Sequence, residues 1–476
     1  MSDSASLKPA ATPPSSTGVW ASLREAMRGS RQDLTEGSIG RAIILLAVPM
    51  VIEMAMESVF AVVDVFFVSK LGADAVTAVG ITESMMTIIY SMAIGVSMAA
   101  MAVVARRIGE KNPAGASSAA AQAIFLGTAI SIPLGLTGTL LAPRLLAIMG
   151  ASAGVIKIGS GYTAMIFVGS VNIFLLFLIN AIFRGAGDAA IAMRVLWLAN
   201  GINIALNPCL IFGLGPFPAL GVLGSAVATT IGRGTGVLYQ LFVLGRGRGR
   251  VALRREHLRL DVEVMVRMLR LSGNGVFQAL VGMSSWLGLV RILTTFGSAA
   301  VAGYTIGFRI IIFALLPSWG MSNAAATMVG QNLGARNPER AERAVWIACF
   351  YNAVFLGAVG LGFVIFAESL IRIFTNDPEV IHFGVECLRF ISYGFVFYAY
   401  GMVVTQAFNG AGDTFTPTVI NIFCFWFWEI PLAYVMAKTL GIGPRGVFLS
   451  IMIAFSTLAV VGILVFRRGH WKEKKV

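Results

Sequence analysis

In this 476-residue chain, 57% of the residues are hydrophobic and only 12% are charged, whereas a soluble domain carries about 25% charged residues. This composition excludes an ordinary soluble enzyme or binding domain and predicts that much of the surface faces a lipid bilayer. The formal net charge of +13 would suggest a nucleic-acid partner for a soluble protein, but in a membrane protein it is typical of basic residues kept in cytoplasmic loops.

The first 37 residues have the composition of a cytoplasmic tail. Residues 1–18 are rich in Ser, Ala, Pro and Thr and are expected to be disordered. The stretch 19–31 has apolar residues at helical spacing among three arginines, which is typical of a segment that lies on the membrane surface. We expect no signal peptide, because the first apolar run is too long and too deep in the chain.

From residue 38 onward, apolar runs of membrane-spanning length alternate with short polar loops, which predicts an all-α membrane protein with twelve transmembrane helices. The six runs of the first half lie near residues 42–68, 79–104, 120–141, 162–183, 196–212 and 222–244. The six runs of the second half lie near residues 271–296, 301–329, 344–366, 383–408, 418–436 and 447–466.

Positive charge is distributed unevenly between alternating loops. When both termini are placed in the cytoplasm, 26 of the 36 Lys and Arg residues fall in the N-terminal tail, the inner loops and the C-terminal tail, 467–476. Arg184 is counted among them, as a residue of an inner loop. The asymmetry favours an even number of spans with both ends in the cytoplasm.

Loop motifs of the first half recur in the second half at a constant offset of 225 residues. "VARRIGEKNP" at 104–113 matches "VGQNLGARNP" at 329–338, and "FRGAGD" at 183–188 matches "FNGAGD" at 408–413. Chance similarity between apolar helices would not keep polar loops in register. The repeat therefore predicts two pseudo-symmetric six-helix lobes with a cavity between them.

These observations divide the chain into an N-terminal lobe, 38–244, a basic cytoplasmic linker, 245–270, and a C-terminal lobe, 271–466. The arginines of "GRGRGR" in the linker are typical of RNA-binding tracts, but attraction to anionic lipid explains them, so no nucleic-acid partner is expected. Asp188 and Asp413 each follow "GAG", and we predict that each caps the next helix.

The order of "VVDVFFVSKLG", "VARRIGEKNP", "FRGAGD" and "NIALNPCLIFG", with its echoes in the second half, resembles the multidrug and toxic compound extrusion (MATE) family over about residues 34–466. The resemblance implies a secondary active exporter that works by alternating access. Its substrates would be organic cations or other drug-like compounds, exchanged for incoming protons or sodium ions. We expect a bacterial inner-membrane protein, a monomer, with no cofactor besides the coupling ion.

Three carboxylic acids lie in the first predicted span. On a helix of about 100° per residue, Glu57 and Asp64 lie within about 40° of Glu53, so the three form one stripe. A charge in hydrocarbon costs several kcal/mol, so the stripe is expected to face a polar cavity. If it is unpaired, such a stripe can bind and release protons. We therefore predict ion coupling on Asp64, supported by Glu57 and Glu53; the alternative is that Asp64 reaches water beside Lys70.

The resemblance also bears on residues around this stripe. Asp64, within "VVDVFFV", matches the aspartate of the family's first helix, and Pro49 matches a proline that can hinge that helix. Asn207 occupies a position where relatives often have aspartate, which leaves a two-aspartate site in doubt.

Further polar residues are expected to support the cavity. Asn200, Asn203 and Asn207 form a second stripe on the fifth span, with interhelical hydrogen bonding as the alternative role. Glu83 opens the second span and would either join the cavity or lie at the membrane interface.

The second lobe offers fewer titratable groups. Glu386 lies three residues before Arg389, so the two are expected to pair. Glu429 lies in the aromatic stretch "FCFWFWEIP", which is more typical of a membrane-interface belt than of a drug-binding cage. The four cysteines and three histidines show no metal-ligand spacing, and no enzyme or nucleotide-binding motif is present, so an ion gradient is expected to drive transport.

Two other functions stay open at this point. A flippase for lipid-linked oligosaccharides would need a cavity basic enough for pyrophosphate, whereas the clear intramembrane charges of the first lobe are acidic and favour a cationic cargo. A channel that does not antiport is also compatible with a duplicated lobe and an ionisable stripe.

Overall fold

In a computed structural model, residues 19–29, 32–247 and 249–474 are described, and all their regular elements are helical. The disorder expected for residues 1–18 lies outside this part of the chain. A short helix, α1, Val19–Arg28, packs against the first long helix. The first lobe contains α2 Ile39–Ser69, α3 Ala73–Gly109, α4 Pro113–Ile148, α5 Ala153–Ala186, α6 Ala189–Phe212 and α7 Val222–Arg246.

The second lobe contains six further spans, one of them bent. They are α8 Val262–Leu293, α9 Ser298–Gly334, α10 Pro338–Arg372, α11 Pro378–Tyr393 with α12 Phe395–Gly410, α13 Phe415–Thr439 and α14 Pro444–Arg467. Helices α11 and α12 meet at 59° and together form the span predicted near 383–408. The prediction of an all-α protein with twelve spans in two lobes is therefore confirmed.

The repeated "NP" motif begins one helix in each lobe. The Asn112 side chain accepts a hydrogen bond from the backbone N–H of Gly115 at 2.8 Å, and Asn337 accepts one from Arg340 at 3.1 Å. In both copies a proline follows as the first helical residue, where its missing N–H costs nothing. The motif is therefore repeated because both helices start in the same way.

The two aspartates after "GAG" do not act alike. The carboxylate of Asp413 accepts hydrogen bonds from the backbone N–H of Thr416 at 3.3 Å and from its hydroxyl at 2.7 Å, so the predicted cap is confirmed there. The carboxylate of Asp188 instead accepts the backbone N–H of Arg250 at 2.6 Å and makes no cap hydrogen bond to α6. The capping prediction is wrong for Asp188, because the linker folds back onto this carboxylate.

A helix begins inside the predicted linker, 245–270. Helix α8 begins at Val262, and the Asp261 carboxylate caps it by accepting the backbone N–H groups of Glu263 and Val264 at 3.1 and 3.2 Å. The basic residues after Asp261 are therefore helical rather than part of a loop.

The two lobes are in close contact at the end that carries the linker. The Thr327 hydroxyl donates to the carbonyl of Arg184 at 3.1 Å, and the Gln331 amide donates to the carbonyl of Gly185 at 2.9 Å. A Cβ on Gly109 would overlap the backbone of Gln331. Because the helices approach this closely, the linker end of the interface is closed.

Candidate functional site

The three acids of α2 do not form an unpaired stripe. Glu53 is 1% exposed, and its carboxylate lies 2.7 Å from the guanidinium of Arg184 and 3.0 Å from the amide of Asn180. The prediction that placed Arg184 in an inner loop is wrong, since its side chain is buried in α5 and points between the helices. An isolated buried charge is costly, so the pair is the physically expected arrangement.

Glu57 has an equivalent partner on α7. Its carboxylate lies 3.2 Å from the guanidinium of Arg233 and accepts a hydrogen bond from the Asn200 amide at 3.2 Å. The guanidinium of Arg233 also lies over the ring of Phe60, 5.2 Å from its centroid. Glu57 is thus compensated by charge as well as by hydrogen bonds.

Asp64 differs from the other two acids. It is 8% exposed and accepts hydrogen bonds from the Asn207 amide at 2.8 Å and the Ser225 hydroxyl at 2.7 Å. No ion pair of Asp64 exists in the described part of the chain. Lys70 lies over the Phe66 ring, at 4.5 Å from its centroid, and Asp64 is buried, which argues against the alternative that Asp64 reaches water beside Lys70. With all three carboxylates and both guanidiniums ionised, the formal charge of this group is −1, and Asp64 is the carboxylate without a cationic partner in the described structure.

Two of the three α6 asparagines bind these carboxylates, and the third binds a threonine hydroxyl of α7. Asn200 donates to Glu57 and Asn207 donates to Asp64, while Asn203 donates to the Thr229 hydroxyl at 2.9 Å. In the described part of the chain, neither of the two main cavities is lined by any of these three asparagines. The interhelical hydrogen-bonding alternative therefore describes them better than the cavity prediction.

The remaining predicted site residues are separate from this cluster. Glu83 is exposed near the N-terminal end of α3, away from the linker end of the lobe. Helix α2 continues through Pro49, which is buried against the second lobe, and Gly320 packs against the neighbouring carbonyl of Met50. A hinge at Pro49 stays a prediction.

Two adjoining cavities lie between the lobes. The first, of 220 Å³, is lined by Glu53, Glu57 and Arg184, but not by Asp64, so only part of the predicted stripe faces a cavity. The second, of 430 Å³, lies mainly in the second lobe. Both are lined by Ile94, Met98, Met283, Leu316, Trp319 and Gln406.

The second lobe departs from two sequence predictions. Glu386 pairs with Arg445 on α14 at 2.6 Å, whereas Arg389 donates to the carbonyl of Val364. The predicted Glu386–Arg389 pair is therefore wrong. Glu429 and Phe425 line the larger cavity, while Phe427 is 69% exposed on the opposite side of α13. The aromatic stretch thus serves both as an outer face and as a cavity wall.

Sequence reasoning missed the partners of the acids, namely Asn180, Arg184, Ser225 and Arg233. A usable signal existed for Arg233, because an arginine inside a span requires a counter-charge. Among the described residues, no group of three or more His, Cys, Asp or Glu side chains is suited to hold a metal ion.

The MatE family model matches residues 49–209 and 276–435, one segment in each lobe. The chain belongs to the MatE family. Members are multidrug efflux transporters and not enzymes, so this MATE protein is a multi-pass membrane transporter of small molecules. The resemblance drawn from the loop motifs is confirmed.

The similarity to known relatives extends over nearly the whole chain. The probable multidrug resistance protein NorM of Thermotoga maritima is 28% identical over 442 residues, which cover 92% of this chain and 94% of the relative. The FAD transporter of Shewanella oneidensis is 26% identical over 406 residues, covering 85% and 89%. A crystal structure of a MATE protein in complex with MaL6 has a TM-score of 0.87 at 26% identity, covering 93% of this chain and 99% of that one.

Proposed function

We propose that this MATE protein is an antiporter that exports small organic cations in exchange for protons, with Asp64 as the coupling group. The observation that carries the proposal is the contrast within α2. Glu53 and Glu57 each contact an arginine, whereas Asp64 has only neutral hydrogen-bond donors. A carboxylate without a counter-charge has the most to gain from binding a proton or a cation.

Protonation of Asp64 would remove the net negative charge of the cluster. The proton would occupy one carboxyl oxygen, and the hydrogen bonds from Asn207 and Ser225 would weaken because they would no longer be charge-assisted. Helix α2 would then loosen from α6 and α7 near Asp64. Its inner part would stay anchored by Glu53 and Glu57, and Pro49 would allow the helix to bend. The two glutamates would thus support coupling by positioning α2 rather than by exchanging protons.

A sodium ion is the second possible coupling ion at the same carboxylate. Asp64, Asn207 and Ser225 offer oxygen atoms, which a hard cation prefers. The Asn207 Oδ1 atom is buried and accepts no hydrogen bond within the described residues, so it would be available to such an ion.

The proposal also specifies the transported compound and the orientation of the protein in the membrane. Arg184 lines the smaller cavity, but Glu53 compensates its positive charge, so the cavity is not basic. A cavity that is not basic argues against a pyrophosphate-bearing lipid as cargo and favours cations. The distribution of Lys and Arg between loops supports an orientation in the bacterial inner membrane with both termini in the cytoplasm. In that orientation the closed linker end is the cytoplasmic end. The proposed transporter acts as a monomer.

The test is ion-driven efflux of a cationic dye from proteoliposomes, with the proton and sodium gradients applied separately. We expect Asp64→Asn to abolish efflux driven by either gradient while the protein stays folded. Glu386→Gln serves as the control, since Glu386 is an acid of the other lobe that pairs with Arg445, and we expect it to retain most activity. Full gradient-driven efflux by the Asp64→Asn protein would refute coupling at this residue. Leakage that is independent of any gradient in the unmodified protein would favour a channel.

A further inference from the structure

We propose that the larger cavity is a cargo subsite for protonated aromatic amines, in which Glu429 binds the ammonium group. The inference rests on the proposed export of cations and adds the lobe, the binding residue and the substrate class. Glu429 is 3% exposed and lines the 430 Å³ cavity. Its only described hydrogen-bond donor is the Ser285 hydroxyl at 2.5 Å, and it forms no ion pair within the described residues. In this respect it differs from Glu53 and Glu57, which have arginine partners.

The local structure of α13 presents Glu429 to the cavity. Residues Ile422–Glu429 form π-helical turns, which are rare and occur frequently at functional sites. Pro431 follows two residues later and lacks the N–H that would continue an α-helical hydrogen-bond pattern. The Ser285 hydroxyl oxygen also lies 3.3 Å from the carbonyl oxygen of Phe425, so α8 packs closely against this irregular segment.

Three more polar side chains of this cavity have an atom without a hydrogen-bond partner in the described structure. The Gln278 Oε1, Asn421 Oδ1 and Tyr304 hydroxyl atoms are buried and have no hydrogen-bond partner in the described structure. Leaving a buried polar atom without a hydrogen-bond partner is unfavourable, so these atoms are expected to acquire a partner from a ligand. Two of the three are carbonyl oxygens, which only accept hydrogen bonds, and the third can accept one as well. The complementary ligand therefore carries several N–H donors.

The walls of the cavity suit a flat aromatic body. Trp286, Trp319, Tyr398 and Phe425 contribute aromatic rings, and Met402 contributes a thioether. Aromatic faces attract a cation as well as another ring, and methionine adapts to ligands of different shape. No lysine or arginine lines this cavity among the residues that the structure describes, so nothing there would compensate an anionic cargo.

The test is binding of a matched pair of fluorescent probes to the purified full-length protein, without an ion gradient. The probes are 1-pyrenylmethylammonium and its N,N,N-trimethyl analogue, which share ring and charge but differ in N–H donors. We expect Glu429→Gln to weaken binding of the primary ammonium at least tenfold. We expect Gln278→Leu and Asn421→Leu to weaken it three- to tenfold and to leave binding of the trimethyl analogue unchanged.

The leucine variants protect the test against misfolding, because each removes an atom that has no described protein partner. Unchanged affinity of the primary ammonium for the Glu429→Gln protein would overturn the proposal. Equal losses for both probes in the leucine variants would overturn the requirement for N–H donors. Glu386→Gln, which changes an acid outside both cavities that pairs with Arg445, is expected to bind both probes normally. Because binding is measured without an ion gradient, weakened binding in Glu429→Gln and lost gradient-driven efflux in Asp64→Asn are separate results, so failure of coupling at Asp64 and failure of the Glu429 subsite are distinguishable.

Discussion

Two buried arginines determine the charge of the first lobe. The Arg184 side chain is bound to Glu53, and its carbonyl oxygen accepts the hydroxyl of Thr327 from the other lobe. The residue therefore links α2, α5 and α9 at once. Removing one partner from a buried ion pair leaves an uncompensated charge, which is more damaging than replacing the whole pair by apolar groups.

We predict that Arg184→Met lowers the free energy of unfolding by about 3–5 kcal/mol, because it leaves Glu53 buried without a counter-charge. The double variant Glu53→Met with Arg184→Met should recover most of this loss. The measurement is the apparent unfolding temperature of the detergent-solubilised protein. Arg372→Met is the matched control, since its pair with Glu368 is exposed and contributes little. Equal destabilisation by the single and double Met variants would contradict the argument.

At the scale of elements, the same "GAGD" motif serves two purposes. Asp413 caps the start of α13, whereas Asp188 holds the linker through the backbone of Arg250. The Arg250 guanidinium donates in turn to the carbonyl of Gln32 at 2.6 Å, so the linker joins the N-terminal segment to α6. The two copies share one contact, because the segment after each lobe brings a basic side chain to the aspartate: Arg250 lies 3.9 Å from Asp188, and Lys474 lies 3.4 Å from Asp413. They differ in that Asp413 also caps a helix.

We predict that Asp188→Ala increases tryptic cleavage within the linker, because the N–H of Arg250 loses its acceptor and the linker detaches. The measurement is the rate of cleavage in folded protein, followed by mass spectrometry of the fragments. Asp413→Ala is the control: it should cost about 1 kcal/mol of stability without accelerating linker cleavage. Identical cleavage rates in Asp188→Ala and the unmodified protein would show that Asp188 does not hold the linker.

At the scale of the molecule, both terminal segments bridge the closed end of the lobe interface. The Arg340 guanidinium donates to the carbonyls of Gly37 at 2.8 Å and Glu36 at 2.9 Å. In the C-terminal segment, the fully buried Trp471 stacks on Phe466 with ring centroids 4.6 Å apart. Three residues later, the Lys474 carbonyl accepts a hydrogen bond from Arg106 of the first lobe. Opening this end must break these contacts.

We predict that deletion of residues 470–476 shifts the protein toward a conformation open at the linker end, because contacts made only in the closed state are lost. The measurement is the labelling rate of a cysteine at Thr327, by an impermeant reagent applied from the linker side, in a Cys209→Ser background. Trp471→Phe should label slowly, because it retains the ring stack. Slow labelling of the truncated protein would contradict a role of the tail in closure.

The helices and the repeat were predictable because their causes are local. Membrane-spanning length, "NP" helix starts and loop charge are all properties of short segments, and the 225-residue offset is visible without coordinates. The acids were also found, since Glu53, Glu57 and Asp64 are unusual in any apolar run. That Asp64 carries ion coupling stays a prediction.

Only the tertiary structure decided which charges remain uncompensated. The partners of Glu53, Glu57 and Asp64 lie 131, 176 and 143 residues away, on α5, α7 and α6, respectively. Helical periodicity fixes the face of α2 that bears the acids, but not the side chains on the helices that pack against it. The aromatic stretch around Glu429 was likewise interpreted as more typical of an interface belt, because sequence cannot tell an outward-facing position from a cavity wall in an aromatic run that contains both. A buried charge is favourable or costly according to its neighbours, and those are set by how twelve helices pack.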